Sequence, residues 1–482
     1  MDRLPIEVID LIASFLPQDS WLPSKRHAAR YAAISSRWQQ AVEPRTFEKI
    51  DLDSTQLDAL ACVLTPRRCR YAKRIYFTVV IPHNDPAMQP TAQKAHLCKV
   101  MTNALRRLFQ ILAQKSDPSD VGVMMLRVAH VEFPVDVDPP SPRPFYKRDA
   151  LDLVDWDDLP VVPCISELLF HEHQGERRLS LRTGLKLASR LPNLSRLTLG
   201  TLEWSSSEFP IIPNAAAVRS WRHKLAATFA DERLAAGLLL RHATLEDETW
   251  DRDWACPGND GFVPPSYCVA ASEEAGAPQH DPLGAAIRDW SQNLYSLEIS
   301  GSVYPHWPNL ETLTTDLSPC SPDGTCYFTR DPSARRVEVH DGYEISLPPP
   351  GHPNDDTLQP LFASWARALA QMPRLREATL CWNLKLGWPG CIEHVRDRMW
   401  AVSFLAPGTP PKGSVHFDAI DDWRDPITPD EARRPRLLFY ATLGWRPWEG
   451  TMGILREVAG RRFPGTGLVV FSVDTEHQMT RE

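Results

Sequence analysis

In this chain of 482 residues the side chains suited to chemistry are few, and their spacing serves it poorly. His171-Glu172-His173 puts imidazoles on alternate residues, so on a strand both face one side and a shared metal ion is geometrically possible. A zincin helix needs its two histidines at i and i+4, and this spacing differs. Cys320 and Cys326 have no second Cys or His pair nearby at zinc-finger spacing, so a loop with two free thiols is expected. Asp157-Asp158 and Asp421-Asp422 place carboxylates on adjacent residues whose side chains diverge, and neither pair makes an acid–base dyad. The Gly-x-Gly-x-x-Gly, P-loop and Gly-x-Ser-x-Gly patterns do not occur. We therefore expect no catalytic residue, no metal ligand and no cofactor, and do not read the chain as an enzyme.

Charge is the next candidate. Between Pro66 and Arg107 the chain carries nine Lys or Arg against one acid, Asp85. Such a cluster can grip an acidic or phosphorylated segment, since arginines read phosphate bidentately. It can equally be a solvated face, or pair with the acidic stretches Asp149–Asp158 and Asp418–Glu431, and that is the reading preferred here. Nucleic acid is not expected: the net charge is -8, and aromatic residues do not interleave with the patch as single-strand binders require. Hydrophobic content of 43% and charged content of 24% are those of a globular protein. No run approaches the ~18 apolar residues of a membrane span, and Glu7 and Asp10 interrupt the first apolar stretch, so neither a membrane partner nor a secretory signal is expected. Ten cysteines without a tight framework read as reduced thiols and place the chain in the cytoplasm or nucleus. Of the 16 tryptophans, Trp156, Trp250, Trp254, Trp307 and Trp423 lie in polar loops. They suit either interface anchoring or plugging gaps between irregular segments.

These residues need elements to hold them. Arg74–Ile81 and Met125–Val131 read as strands from their β-branched and aromatic content, and Ala92–Gln114 between them has helical apolar spacing. Together they form a strand–helix–strand unit that calls for a parallel sheet. Cys164–Phe170 gives another strand, 248–282 a long loop, and the last eighty or so residues a strand, a helix and a strand. A degenerate repeat runs through the middle. Leu191-Pro192-Asn193-Leu194-x-x-Leu197-x-Leu199 matches Met372-Pro373-Arg374-Leu375-x-x-Ala378-x-Leu380, with shorter copies at Leu310 and Leu294. Proline ends a helix in the first two copies, and the spaced leucines then turn inward along a strand. The pattern resembles a leucine-rich repeat. It lacks the usual asparagine after the second strand leucine, and its copies are unevenly spaced, so an irregular array with long insertions is expected.

The first fifty residues are the most telling. Pro5 suits the first helical position and Glu7 the first turn, and Pro17 stops the helix. Apolar residues from Leu4 to Leu16 cover an arc of roughly 220°, where a surface helix needs ~100°, leaving Glu7, Asp10 and Ser14 as a polar wedge. A helix that apolar has two neighbours to meet, its own domain and a partner. Leu4-Pro5-x-Glu7, Ile9, Ile12 and Leu16, followed by Ala33-x-x-Ser36-Arg37-Trp38, resemble an F-box. With Ser20–Ser24 inserted between the first and later helices, the segment is similar to the longer F-boxes of filamentous-fungal proteins. The resemblance implies a three-helix F-box at 1–50, an irregular leucine-rich-repeat-like α/β solenoid at 51–400 and a C-terminal α/β cap or lobe at 401–482. It also implies the substrate-recognition subunit of a Skp–cullin–F-box ubiquitin ligase. Such a subunit binds a Skp-type adaptor, through it a cullin, and a protein substrate of unassigned identity and contact residues. The expected adaptor contacts are Leu4, Pro5, Val8, Ile12, Leu16 and Trp38. The alternatives are a ligase-independent F-box scaffold and, below it, an enzyme of unknown class in the C-terminal region.

Overall fold

The computed structural model describes residues 4–15, 31–81, 88–116, 124–132, 151–170, 180–201, 223–231, 240–247, 282–300, 307–317, 327–329, 352–384, 398–410, 427–440, 442, 444–473 and 479–481. The chain separates into two compact units, Met1–Glu203 with Arg233–Leu240, and Trp204–Glu232 with Arg241–Glu482. Both are mixed α/β, as expected. The expected boundaries at 50 and 400 fall inside the strands Lys49–Asp53 and Arg398–Leu405, each hydrogen-bonded to a neighbouring strand.

The first unit begins with α1 (Ile6–Ser14) and α2 (Ser36–Thr46), then β1 (Lys49–Asp53), α3 (Leu57–Val63), α4 (Pro66–Cys69) and β2 (Arg74–Ile81). It continues with α5 (Pro90–Lys115), β3 (Met124–Glu132), β4 (Ile165–Phe170), α6 (Leu181–Ala188) and β5 (Arg196–Thr201). The five strands are parallel and lie side by side in chain order, β1-β2-β3-β4-β5. That order has no reversal, unlike a doubly wound sheet. Along β2, Ile75, Phe77, Val79 and Ile81 are buried, while the intervening residues are half-exposed or exposed. The helices cover the buried side. On α6, Gly184 permits a close approach: a Cβ there would lie 2.5 Å from Leu199 Cδ2 and 3.2 Å from Phe170 Cδ1.

The second unit holds α7 (residues 223–229), β6 (His242–Asp247), α8 (Pro282–Trp290), β7 (Ser296–Ser300), β8 (Thr312–Asp316), the small antiparallel ribbon β9 (Phe328–Thr329) and β10 (His352–Pro353), α9 (Asp355–Leu369) and β11 (Glu377–Leu384). β12 (Arg398–Leu405), α10 (Pro429–Ala432), β13 (Arg436–Tyr440), α11 (Glu449–Arg462), β14 (Val469–Val473) and β15 (Met479–Arg481) complete it. β6, β7, β8 and β11 are parallel neighbours; β12 then runs antiparallel between β11 and β13, and β14 returns parallel to β13.

The repeated leucines have one local geometry. The amides of Leu194, Leu294 and Leu375 each donate to the carbonyl three residues back, at 3.0, 3.0 and 3.2 Å, closing the same turn before β5, β7 and β11. A carbonyl at the foot of one strand then accepts two successive amides of the next. Arg241 O takes Tyr295 and Ser296, Tyr295 O takes Glu311 and Thr312, and Glu311 O takes Arg376 and Glu377, at 2.7–3.1 Å. Every leucine of the pattern is buried. The asparagines absent from the strands act one turn earlier: Asn193 Nδ2 donates to Pro163 O at 2.8 Å and Asn309 Nδ2 to Gln292 O at 3.4 Å.

Candidate functional site

Pro5 caps α1 in an extended conformation, and its carbonyl accepts the amides of Val8 and Ile9 at 3.1 and 3.2 Å. On one side of the helix Ile9 and Ala13 are sealed against Trp38, Ala41 and Val42 of α2, with Leu4 and Ala32 packed at the edge. Ser35 caps α2 by accepting from the Trp38 amide, and the Trp38 ring stacks on Tyr31 at 5.8 Å. This is a core of five side chains, too small to need more of α1 than Ile9 and Ala13.

The rest of the apolar surface of α1 meets water. Val8 is 38% exposed, Leu11 59%, Ile12 39% and Phe15 78%. Positions 8, 11, 12 and 15 follow i, i+3, i+4, i+7 and so form one ridge. Of the six expected contacts, Val8 and Ile12 lie on it, Pro5 is exposed at the helix start and Leu4 is half-buried. Trp38 does not join them: at 4% exposure it is core, and it supports α1 from beneath. Leu16 and the inserted Ser20–Ser24 lie outside the described residues. Leu11 and Phe15 are the ridge residues that the expected set lacks, and their spacing with Val8 and Ile12 is the signal that finds them.

Glu43 ties the helical pair to α4. The residue is 3% exposed, and its carboxylate accepts from Gln39 Nε2 at 2.7 Å and from Nε and Nη2 of Arg68 at 2.9 and 2.6 Å, and lies 3.4 Å from Arg67. Burial pushes its pKa up, but the hydrogen bonds from Gln39 and Arg68 and the charges of Arg68 and Arg67 outweigh that and hold it below the usual carboxylate range. Arg68 also lies 5.0 Å over the Phe47 ring.

Of the nine cations in the basic stretch, Arg67, Arg68, Lys73 and Arg107 meet carboxylates, and these acids lie outside the two stretches named from sequence. Lys73 meets Glu48 at 2.9 Å and Arg107 meets Asp58 at 3.1 Å. The acidic stretch accepts from Arg106 at the Asp155 carbonyl, at 3.1 Å, and its carboxylates serve the next repeat. Asp152 holds the buried Lys186 at 2.9 Å, and Asp157 lies 3.5 Å from Arg190. Trp156 packs beneath Arg190 and Trp307 donates to Ser291 Oγ at 2.7 Å, so both plug gaps. His171, His173, Cys320, Cys326, Asp421, Asp422, Trp250, Trp254 and Trp423 lie outside the described residues. Among the described residues no group of three or more His, Cys, Asp and Glu is placed to hold a metal, and no helix is long and apolar enough to cross a membrane. Comparison with family models, with curated proteins and with solved structures gave no match.

Proposed function

We propose that this protein is the substrate-recognition subunit of a Skp–cullin–F-box ubiquitin ligase, acting in the cytoplasm or nucleus. Residues 1–50 dock a Skp-type adaptor, and through it a cullin, while the strand–helix array holds a protein substrate. The observation that carries this reading is the water-facing ridge Val8-Leu11-Ile12-Phe15 on a helix whose other side already has its core. A side chain of this kind gains ~1.5–3 kcal/mol on full burial, so four in one row make an anchor. The order of Leu4-Pro5-x-Glu7 and Ser36-Arg37-Trp38, with Trp38 as internal support, fits an F-box. Strands in chain order joined through one recurring turn support an irregular leucine-rich-repeat-like solenoid for the array. The mechanism is proximity: tethering raises the effective concentration of substrate beside the charged ubiquitin carrier, and other subunits perform the chemistry.

The test is co-purification of the full chain with a Skp-type adaptor, beside Leu11→Asp/Phe15→Asp. Both positions are exposed, so the variant keeps the circular dichroism and thermal midpoint of wild type. A charge forced into the interface costs several kcal/mol, and the complex is lost. Wild type that does not retain the adaptor, or a folded variant that does, ends the ligase reading.

A further inference from the structure

The side of the first unit's sheet that faces away from its helices carries a row of basic side chains. Lys49 on β1 and Arg74 on β2 are register partners, like charges at a separation that destabilises a sheet. Arg127 on β3 is the register partner of Tyr76, one step along from Arg74 on the same side. Lys49 Nζ stands 4.3 Å from the Tyr76 ring centre and the Arg127 guanidinium 5.6 Å from it. Since β2 lies between β1 and β3, the two cations reach the ring from opposite sides. Farther across, Arg196 opens β5 on the same side, beside Glu167 of β4. Arg74 and Arg196 are exposed, and Lys49, Tyr76 and Arg127 are half-buried.

Arg74, Arg127 and Arg196 form no ion pair with any described residue, whereas Arg67, Arg68, Lys73 and Arg107 all meet carboxylates. Asp51, 3.6 Å from Lys49, offsets one charge of the group. Three arginines without an ion pair among the described residues, two of them next to Lys49 and Tyr76 on one face, hold donors in place for an acceptor from outside.

We propose that this face takes an extended acidic segment of a partner protein, whose carboxylates meet Lys49, Arg74 and Arg127 and continue toward Arg196. The inference rests on the reading of the array as the substrate-holding part and names the class of substrate. Carboxylates match a guanidinium fork bidentately. Single-stranded nucleic acid is the other polyanion, but it binds by stacking bases on aromatic rings. Both sides of Tyr76 are occupied by cations, and Thr78, Ala129, Leu169 and Thr198 on the same face offer no ring. With a chain charge of -8, the attraction is local to this patch.

The experiment is fluorescence anisotropy of the full chain without adaptor, so its result is independent of the co-purification above. The probes are a labelled peptide of alternating Asp and Ser, the same peptide with Asn for Asp, and labelled oligo(dT). The expected result is binding of the Asp peptide alone, weakening as salt is raised. Arg74→Gln and Arg127→Gln should each weaken it roughly tenfold, the scale of one lost hydrogen bond to a charged group. Arg107→Gln, already paired with Asp58 on the helix side, should leave it unchanged. The Arg74 variant is at an exposed site and keeps its thermal midpoint, so its loss of binding is not a folding effect. No binding of the Asp peptide, equal binding of the Asn peptide, tighter binding of oligo(dT), or indifference to the Arg74 and Arg127 changes would each overturn the proposal.

Discussion

The strands of the first unit and the C-terminal strands of the second treat their second side differently. In the first unit β2 alternates buried and half-exposed residues, and the side away from the helices presents Lys49, Tyr76, Arg127 and Thr198. The parallel strands β6, β7 and β8 of the second unit do the same with Thr244, Glu298 and Thr314 in register. On β12, β13 and β14 that side is buried instead: Leu405, Leu438, Val469 and Phe471 pack together with Ile427, Cys381 and Ala401 with Tyr440, and Ser403 and Arg436 are buried on the same face. The opposite side of β11 and β12 meets α9 in a cluster of rings, with Phe362, Trp382 and Trp400 within 6.3 Å of one another. All-parallel sheets are usually covered on both sides and antiparallel ones open on one. Here the parallel strands are the ones with an open polar side, and β12 and β13, which pair antiparallel, are buried on both. Where folding uses both sides, neither is free for recognition. Where one suffices, the other can hold charge at little cost. Cys381 illustrates the first case. Burial pushes its thiol pKa well up, and the negative charges of Asp316 and Glu298 push it further, so the sulfur stays protonated and a poor nucleophile.

The sharpest way to break this comparison is to empty the ring cluster. Phe362 is fully buried and touches Trp365, Trp382, Trp400 and Trp445, with centroids 5.0–6.3 Å apart. Phe362→Ala should cost ~3–5 kcal/mol, the usual range for a large aromatic removed from a core. The measurement is thermal unfolding followed by tryptophan fluorescence. A midpoint lowered by less than the equivalent of ~1 kcal/mol would mean that the rings are not what holds the second unit together.

A smaller loss is expected at Glu43. Glu43→Gln removes a buried carboxylate from Arg68 and Arg67, and since those arginines reach water the cost is ~1–3 kcal/mol rather than that of two stranded charges. The pH dependence has a definite sign. The folded pKa of Glu43 lies below its ordinary value, so its contribution is complete above the ordinary carboxylate range. That contribution drains away as pH falls through the lowered pKa. Limited proteolysis between α2 and β1 should therefore quicken on acidification in wild type, and in Glu43→Gln it should be quick already at neutral pH. Equal acid sensitivity in both would remove Glu43 as the tie between α2 and α4.

Much of this is legible in the sequence, unevenly. Arg74–Ile81 matches β2 residue for residue, because residues 75–81 are a run of seven β-branched and aromatic residues. The helix read at Ala92–Gln114 is α5 with a few residues added at its ends, where assignments ordinarily drift. Leu437-Leu438-Phe439-Tyr440 is apolar without alternation, and that run is the signature of a strand buried on both sides. Pairing is harder. Glu43 lies outside the basic stretch and Lys186 outside the acidic one, yet the fold joins Glu43 to Arg68 and Lys186 to Asp152. Sequence separation says nothing of such partners until the strand order is known. Trp38 reads as a contact in the sequence because it closes the F-box-like pattern Ala33-x-x-Ser36-Arg37-Trp38. Its burial comes from Ile9 and Ala13 lying on the opposite side of α1 from Val8, Leu11, Ile12 and Phe15.

The smallest expected effect is the one that sharpens the comparison most. Arg74→Gln removes a charge that stands directly opposite Lys49 and makes no ion pair among the described residues. Exposed substitutions away from special features stay within about 0.5 kcal/mol, and relieving a like-charge pair pushes in the stabilising direction. The thermal midpoint of Arg74→Gln should therefore equal or slightly exceed that of wild type, and the difference should shrink as salt screens the repulsion. Lys49→Gln is the informative partner variant, because Lys49 also touches Tyr76 and Asp51 and so loses some attraction along with the repulsion. If Arg74→Gln proved clearly destabilising, the charge on this side would belong to the fold. The contrast between strands that use both sides and strands that leave one free would then fail at its clearest point.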